Sequence, residues 1–467
     1  MAVSASTRRK VRTMLSNVPW LFNLARGSVR FGRESIALGK LTYGHLASAI
    51  SGSSEWQSVL PVQRPSKVSV QGADIIAWCR SQDLAQGHDA WYLSPSQWEA
   101  SPLGFFRSRY PSNAGIKVAK NEAGVEGAYM VASAGRAMAQ KRAHNHLHQS
   151  VAWNFFHLNG VAPRLYDLLE INGRTAAYVV EHLEAEPLHP GDCQEMVGRL
   201  KGLVEKGRAE FVSSYGWENA DFQEPDCNCN LIRSGDRLAY VDIHNFALRN
   251  YDKTLREVAL AASSASHFGG QSGVLGGKFL YQEVPGVKLP AKRSPSSRMR
   301  TYDKLLAEAG ISLEGKVMFD IGCNLGLMGA EYLRRGAHWV HGWDMPYAID
   351  GAYSTLMSIG CTRFSQTAGP FGPETRLFEQ LPEHLKATRP EDGIVSYLAI
   401  RGHVNWLPGL RELPWRYMIY EGHQNDEELS VYLDQLQQLV PVRLVTSGSV
   451  SDALSASRDS AIIERLA

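Results

Sequence analysis

Lys316-Val317-Met318-Phe319-Asp320-Ile321-Gly322-Cys323-Asn324-Leu325-Gly326 is the stretch on which the fold of this chain turns. Its apolar run, Val317 to Ile321, predicts a buried strand. Gly322 and Gly326 stand where that strand must turn sharply into a helix, 327–336 (LMGAEYLRRG), and let its backbone lie against a ligand. Gly329 follows inside the helix, where a missing side chain allows close packing on the sheet. A second strand, 338–344 (HWVHGWD), ends on Asp344, eighteen residues beyond Gly326. In an open α/β sheet that is the position from which a carboxylate accepts hydrogen bonds from ribose hydroxyls.

The alternation continues outward. Residues 347–360 (YAIDGAYSTLMSIG) predict a helix, and 393–400 (GIVSYLAI) and 417–421 (YMIYE) later strands. Strand–helix alternation of this kind implies an α/β fold with a mostly parallel sheet covered on both faces.

Two kinds of cofactor fit a glycine loop in this setting. A dinucleotide site uses G-x-G-x-x-G to seat a pyrophosphate on the helix N-terminus, but here Asn324 takes the place of the second glycine and Asp320 sits at the strand end. A carboxylate at Asp320 repels a pyrophosphate and suits a cofactor carrying an ammonium and a sulfonium. The motif Asp320–Gly326, DIGCN-G, resembles the first motif of class I S-adenosylmethionine-dependent methyltransferases, and the resemblance covers about residues 300–425. It implies a Rossmann-like sheet in which Asp320, Gly322, Cys323, Asn324 and Gly326 surround the methionine part of S-adenosylmethionine and Asp344 holds the ribose. Residues 394–406 (IVSYLAIRGHVNW) are similar to the fourth strand and following segment of that family, which line the transfer site. Its third-strand region, RFSQTAGPFG, departs by lacking the acid that often contacts adenine.

Methyl transfer needs an aligned nucleophile, plus a base where the nucleophile carries a proton. His403 is the first candidate base and Glu421 the second. Arg293, Arg298 and Arg300 could clamp an anionic acceptor, because a guanidinium matches phosphate bidentately; solvated charges on a linker are the plainer reading.

The middle of the chain carries a second set of signals. GIKVAK (115–120), TAAYVVEHL (175–183) and RLAYVDI (237–243) predict strands, and 136–158 and 192–212 predict helices. A lysine inside a strand, Lys117, a hinge-like strand ending at Glu181, Asn230 before a hairpin and Asp242 after it follow one another in an order similar to protein-kinase-like phosphotransferases. The resemblance implies ATP and Mg2+, with Lys117 on the nucleotide phosphates, Glu181 at the hinge and Asn230 and Asp242 holding metal. Asp226, in the loop before Asn230, is the candidate base. No G-x-G-x-x-G precedes Lys117 and no H-R-D triplet precedes Asn230.

At 467 residues the chain has room for two or three cores. The expected organisation is a basic arm (1–60), an α+β kinase-like domain (61–265), a linker or substrate loop (266–300) and the methyltransferase domain (301–467). The six cysteines lack the paired spacing of a zinc site or disulfide framework. Residues 1–50 carry a charge of +7 within a chain whose net charge is +2, with Trp20, Phe22 and Phe31 interleaved. That pattern suits an anionic membrane surface or a partner groove, or an arm packed on the rest of the protein; nucleic acid fits it less well. No transmembrane helix or secretory signal is predicted, so the expectation is a cytoplasmic protein, peripheral on the inner membrane if the arm binds there. A kinase-like module joined to a methyltransferase resembles the bacterial enzymes that terminate a surface polysaccharide by phosphorylating and methylating its last sugar. That resemblance implies a glycan or another membrane-associated anionic acceptor. The alternative is a methyltransferase of small molecules or RNA whose middle region is an inactive scaffold.

Overall fold

The computed structural model describes residues 63–82, 84, 90–120, 145–206, 208–211, 231–241, 246–248, 251–265, 280–400, 406–422, 428–450 and 457–466. Two sheets dominate. The first joins β1 (Ser66–Val68), β2 (Ala90–Leu93), β3 (Ala114–Ala119), β4 (Leu165–Ile171) and β5 (Arg174–Glu181) in the order β1-β4-β5-β3-β2. β1 runs parallel to β4, and the other pairings are antiparallel. Asn172 and Gly173, both at positive φ, close the β4–β5 hairpin with the backbone that a two-residue turn demands.

Helices α1 (Gly72–Ser81), α2 (Pro95–Ala100), α3 (Asn145–Leu158) and α4 (Asp192–Glu205) accompany this sheet. The helix expected over 192–212 ends at Glu205. Ala209–Phe211 forms β6, because the chain there finds an antiparallel partner in β9 (Phe246–Leu248), and tertiary pairing overrides a local helical pattern. Between them β7 (Leu231–Ser234) and β8 (Arg237–Tyr240) make a hairpin.

The second sheet contains β12 (Val317–Ile321), β13 (Trp339–Asp344), β14 (Phe364–Ala368), β15 (Gly393–Leu398), β16 (Tyr417–Glu421), β17 (Val442–Val450) and β18 (Arg458–Arg465), after a short parallel pair, β10 (Leu280–Gln282) and β11 (Ala291–Arg293). Its order is β14-β13-β12-β15-β16-β18-β17: five parallel strands, then β18 inserted antiparallel between β16 and β17. The chain reverses its direction of travel across the sheet between β12 and β15, which opens a crevice at their carboxyl ends. Helices α5 (Tyr251–Ala265), α6 (Pro295–Glu308), α7 (Leu327–Arg334), α8 (Pro346–Ser358) and α9 (Leu429–Leu439) flank it. The stretch 266–300, expected as a linker, holds β10, β11 and the start of α6 in its described part. α6 runs unbroken through position 300 because Met299 and Tyr302 are buried in the core of the second sheet. α5 packs on α8 so closely that a Cβ at Gly351 would lie 3.1 Å from Ala262.

One apolar core runs from the first sheet into the second, through Tyr110, Ile116 and Tyr166 to Trp339 and Trp343. Polar groups seal the same contact. Asn154 donates its side-chain amide to the carbonyls of Met357 and Cys361, each at 2.9 Å. Arg363, just before β14, pairs at 3.2 Å with Asp167 of β4, and both side chains are buried. No helix among the described residues is long and apolar enough to cross a membrane.

Candidate functional site

The crevice is built from the end of β12. Asp320 lies in register with Gly342 on β13 and Ser396 on β15, at the middle of the sheet. The loop that follows is left-handed at Gly322, Asn324 and Gly326, with φ of +77°, +49° and +73°. A Cβ at Gly322 would sit 2.5 Å from the Ile400 side chain, and one at Gly326 would sit 2.7 Å from Leu356. Both glycines are therefore fixed by space as well as conformation. Asn324 occupies the place of a dinucleotide site's second glycine because asparagine tolerates this backbone; its side-chain oxygen accepts from the Leu325 amide at 2.9 Å. Cys323 is buried under the loop, against the bare backbone of Gly342.

Asp344, at the end of β13, anchors the loop. One carboxylate oxygen accepts from the Asn324 amide at 2.6 Å and the other from Met345 at 2.7 Å.

Asp320 has a different environment. It is 2 % exposed, and its Oδ2 has no hydrogen-bond partner among the described residues. Burial pushes its carboxyl up to about 6, against the Ser396 hydroxyl and the Arg298 guanidinium, which pull it down, while the negative charge of Asp344 adds to the rise. Ser396 is held in turn by the Tyr332 hydroxyl at 2.8 Å. The result is a desolvated carboxylate without an ion-pair partner in contact among the described residues, at the start of the loop.

Glu421, expected as a second candidate base, is corrected to a buried anchor. One of its oxygens accepts from Arg298 Nε at 3.1 Å, Arg298 Nη2 at 2.8 Å and the Tyr302 hydroxyl; the other accepts from Arg458 Nη1 at 2.7 Å. Burial opposes its ionisation, but the two guanidiniums and the phenol overcome that and hold its pKa below the ordinary value. A fully buried carboxylate so committed does not collect a proton from an acceptor. Arg298, expected among the linker arginines, is the same cluster's buried cation, while Arg300 is exposed. Tyr302 and Arg458 escaped the sequence reading, because 119 and 37 residues separate them from Glu421.

Ala399, after β15, is a further feature that the sequence does not announce. Its φ of +58° is unusual for a residue with a Cβ, and its amide donates to the Glu421 carbonyl at 2.8 Å. The turn carries Ile400 against Gly322, and so closes the loop on that side. His403 lies in 401–405, outside the described residues, as do Asp226, Asn230 and Asp242.

In the first sheet, Lys117 is buried on β3, opposite Tyr178 of β5, with its Nζ 5.4 Å from the centroid of the Tyr92 ring. Strand alternation puts it on the face of Ala119, which packs in one cluster with Trp153 of α3 and Tyr178. Glu181 closes β5, and its carboxylate is bound by both terminal nitrogens of Arg237, at 2.6 and 3.0 Å.

No family model matches the chain, and no curated protein matches it. Solved structures do. A tRNA methyltransferase of Bacillus subtilis is 15 % identical over 34 % of this chain and 64 % of its own, with a TM-score of 0.24. A precorrin-6y C5,15-methyltransferase of Geobacter metallireducens is 12 % identical over 36 % of this chain and 87 % of its own, with a TM-score of 0.24. A Streptococcus pneumoniae protein, described as a tRNA (m1A22) methyltransferase and solved with S-adenosyl-L-methionine, is 14 % identical over 35 % of this chain and 72 % of its own, with a TM-score of 0.26. Likenesses of this size carry no functional weight alone, and the chemistry has to come from the crevice itself.

Proposed function

We propose that the second sheet is a methyltransferase domain that uses S-adenosylmethionine and acts on an anionic acceptor. The observation that carries this reading is Asp320: a buried carboxylate with an unpartnered oxygen beside a left-handed glycine loop. A pyrophosphate there would meet a negative charge in a low-dielectric site, whereas an ammonium supplies the missing counter-charge. Asp344 stands at the end of β13, the position from which a carboxylate of an open α/β sheet meets ribose hydroxyls, and the bare backbone at Gly322 and Gly326 allows a ligand to approach the chain.

When bound, S-adenosylmethionine supplies an electrophilic methyl on a sulfonium that leaves as a neutral thioether. The chain's own part is placement. Asp320 orients the donor's amino acid end, Asp344 the ribose, and Ile400 closes the crevice between the donor and the acceptor. His403 follows in sequence and is the base we assign to an acceptor that carries a proton.

Titration calorimetry with S-adenosylmethionine tests this. Pairing with an ammonium requires Asp320 ionised, so affinity is greatest above pH 6 and falls as the pH drops through about 6. At pH 5 binding should be about tenfold weaker than at pH 7.5, on the basis that one pH unit below a pKa leaves about a tenth of the carboxylate ionised. Asp320→Asn should weaken binding at pH 7.5 and flatten the profile. A pH-independent affinity in the wild type would remove Asp320 from the site. Turnover on anionic against neutral glycans then addresses the acceptor, for which we propose a membrane-associated anionic glycan on the strength of the +7 charge of residues 1–50.

A second activity is favoured by one observation in the first sheet. β3 with its buried lysine, α3, the β4–β5 hairpin, α4, and a β7–β8 hairpin nested inside the β6–β9 pair follow the order of a kinase-like phosphotransferase. In sequence, Asn230 immediately precedes β7 and Asp242 follows Val241 after β8, the order of the two metal-holding positions of such phosphotransferases. On this reading ATP with Mg2+ binds the full chain and Lys117→Met weakens it by roughly tenfold or more, since a buried lysine on phosphate makes a charge-assisted bond. Unchanged nucleotide binding in Lys117→Met would reduce the region to a scaffold.

A further inference from the structure

In the Arg298–Glu421–Arg458 cluster one of the two cations is only partly engaged. Two guanidiniums, each less than a tenth exposed, share a single carboxylate. Arg298 spends its Nε and Nη2 on Glu421. Arg458 reaches Glu421 with Nη1 alone, and its Nε and Nη2 have no partner among the described residues and no contact with solvent. Those two nitrogens form the side edge of the guanidinium, whose parallel N–H groups match the two oxygens of a carboxylate or phosphate. Ser460 Oγ, on the same strand two residues on, is also buried without a partner among the described residues. A water could satisfy N–H groups, but it could not balance a buried charge.

The position of this edge is as telling as its valence. Ser460 lies opposite Glu421, and Glu421 opposite Leu398, so Arg458 sits past the carboxyl ends of β15 and β16. Ligands of open α/β sheets bind at that rim. From β12, which carries Asp320, to β18 is three strand spacings, or roughly 14 Å at about 4.8 Å each. That is the acceptor half of the crevice if the donor lies over β12 and β13, a condition that rests on the methyl-donor reading above.

We infer that the free edge of Arg458 receives a carboxylate or phosphate group of the methyl acceptor. The anion completes a buried row that runs from Asp320 and Ser396 through Arg298 and Glu421 to Arg458, and it fixes the acceptor by its charge at a distance from the reacting atom. Glu421 is then a positioning residue, because it holds Arg458 through Nη1 and leaves the Nε–Nη2 edge uncommitted.

The test uses the full chain with inorganic phosphate as probe, read by the thermal unfolding midpoint at matched ionic strength in chloride, with and without S-adenosylmethionine. In the wild type, millimolar phosphate should raise the midpoint by about 2 °C or more, as a ligand of the folded state does. Arg458→Lys keeps a cation for Glu421 but removes the fork, and it should lose that shift while binding S-adenosylmethionine within about twofold of the wild type. Arg458→Met is a second variant, without the charge, and should behave likewise. A wild type indifferent to phosphate, or an Arg458→Lys chain that still responds, overturns the inference. Loss of tenfold or more in S-adenosylmethionine affinity in Arg458→Lys also overturns it, by assigning the edge to the donor's own carboxylate. If the wild type binds no S-adenosylmethionine but responds to phosphate through Arg458, the donor reading fails and the anion site stands.

Discussion

Glu421→Gln is expected to lower folding stability by about 3–5 kcal/mol, the usual cost of removing one member of a buried ion pair and leaving its partner uncompensated. Here two partners are left. Arg298 and Arg458 are 6 % and 3 % exposed, so neither can turn to water without opening α6 or the start of β18. The glutamine keeps the volume and one acceptor oxygen, which isolates the loss of charge from the loss of shape. Chemical denaturation followed by tryptophan fluorescence reads the effect. The double variant Glu421→Gln/Arg458→Met should recover part of it, because one orphaned cation goes with its counter-ion. The sign with pH is fixed as well. The folded pKa of Glu421 lies below its ordinary 4.5, so its contribution is complete above that value and is lost as pH falls from it through the folded pKa. A stability change under about 1 kcal/mol, with turnover reduced, would restore Glu421 as a base, since surface-like substitutions cost about 0.5 kcal/mol or less.

Much of the second sheet could be read from the sequence, because β12, β15 and β16 are short apolar runs bounded by glycines or turn residues, whereas β14, with the sequence FSQTA, is not. Val317–Ile321 and Tyr417–Glu421 begin and end where expected. The β17–β18 pair could not be read that way. β17 is exposed over most of its length, and its sequence VRLVTSGSV has little of the alternation that marks a half-buried strand. Its partner β18 gains its meaning from where it is inserted, which is a property of the whole sheet. The crevice divides along the same line. Asp320, Gly322, Asn324, Gly326 and Asp344 lie within one local motif, and the structure gathers them around one loop. Ser396, which bonds Asp320, and Tyr332, which holds Ser396, are 64 residues apart, and neither contact is written in the spacing of a motif. Arg298 and Arg458 lie on opposite sides of Glu421 in the chain and meet only through register and helix packing. Local chemistry is written locally; charge balance is not.

Asp167→Ala is expected to weaken the joint between the two sheets, at a cost of about 3–5 kcal/mol for a broken buried pair with further donors left unpaired. Asp167 is 0 % exposed. It accepts from Ser66 Oγ at 2.5 Å, Tyr110 Oη at 2.8 Å and Arg363 Nη1 at 3.2 Å, so one carboxylate gathers groups from β1, the segment before β3 and the segment before β14. Without it Arg363 keeps the Arg64 carbonyl and the Ser66 hydroxyl, neither of which carries charge. Asp167→Asn separates the two parts of the cost: it keeps an acceptor for Ser66 and Tyr110 but leaves the Arg363 cation buried and unbalanced. The alanine variant should therefore lose more stability than the asparagine variant, and both should lose more than a surface substitution. Calorimetry of the full chain should show the wild-type transition broaden or split in Asp167→Ala, as the first sheet loosens from the second. The effect should also reach the crevice. Arg363 leads directly into β14, which pairs with β13 up to Asp344, so a looser β14 lets the Asp344 carboxylate drift, and on the proposed reading S-adenosylmethionine affinity falls in step with the joint. An Asp167→Ala chain of unchanged stability would mean that the apolar core from Tyr110 to Trp339 holds the sheets together without the ion pair. Lost stability with unchanged cofactor affinity would confine the role of Asp167 to the joint.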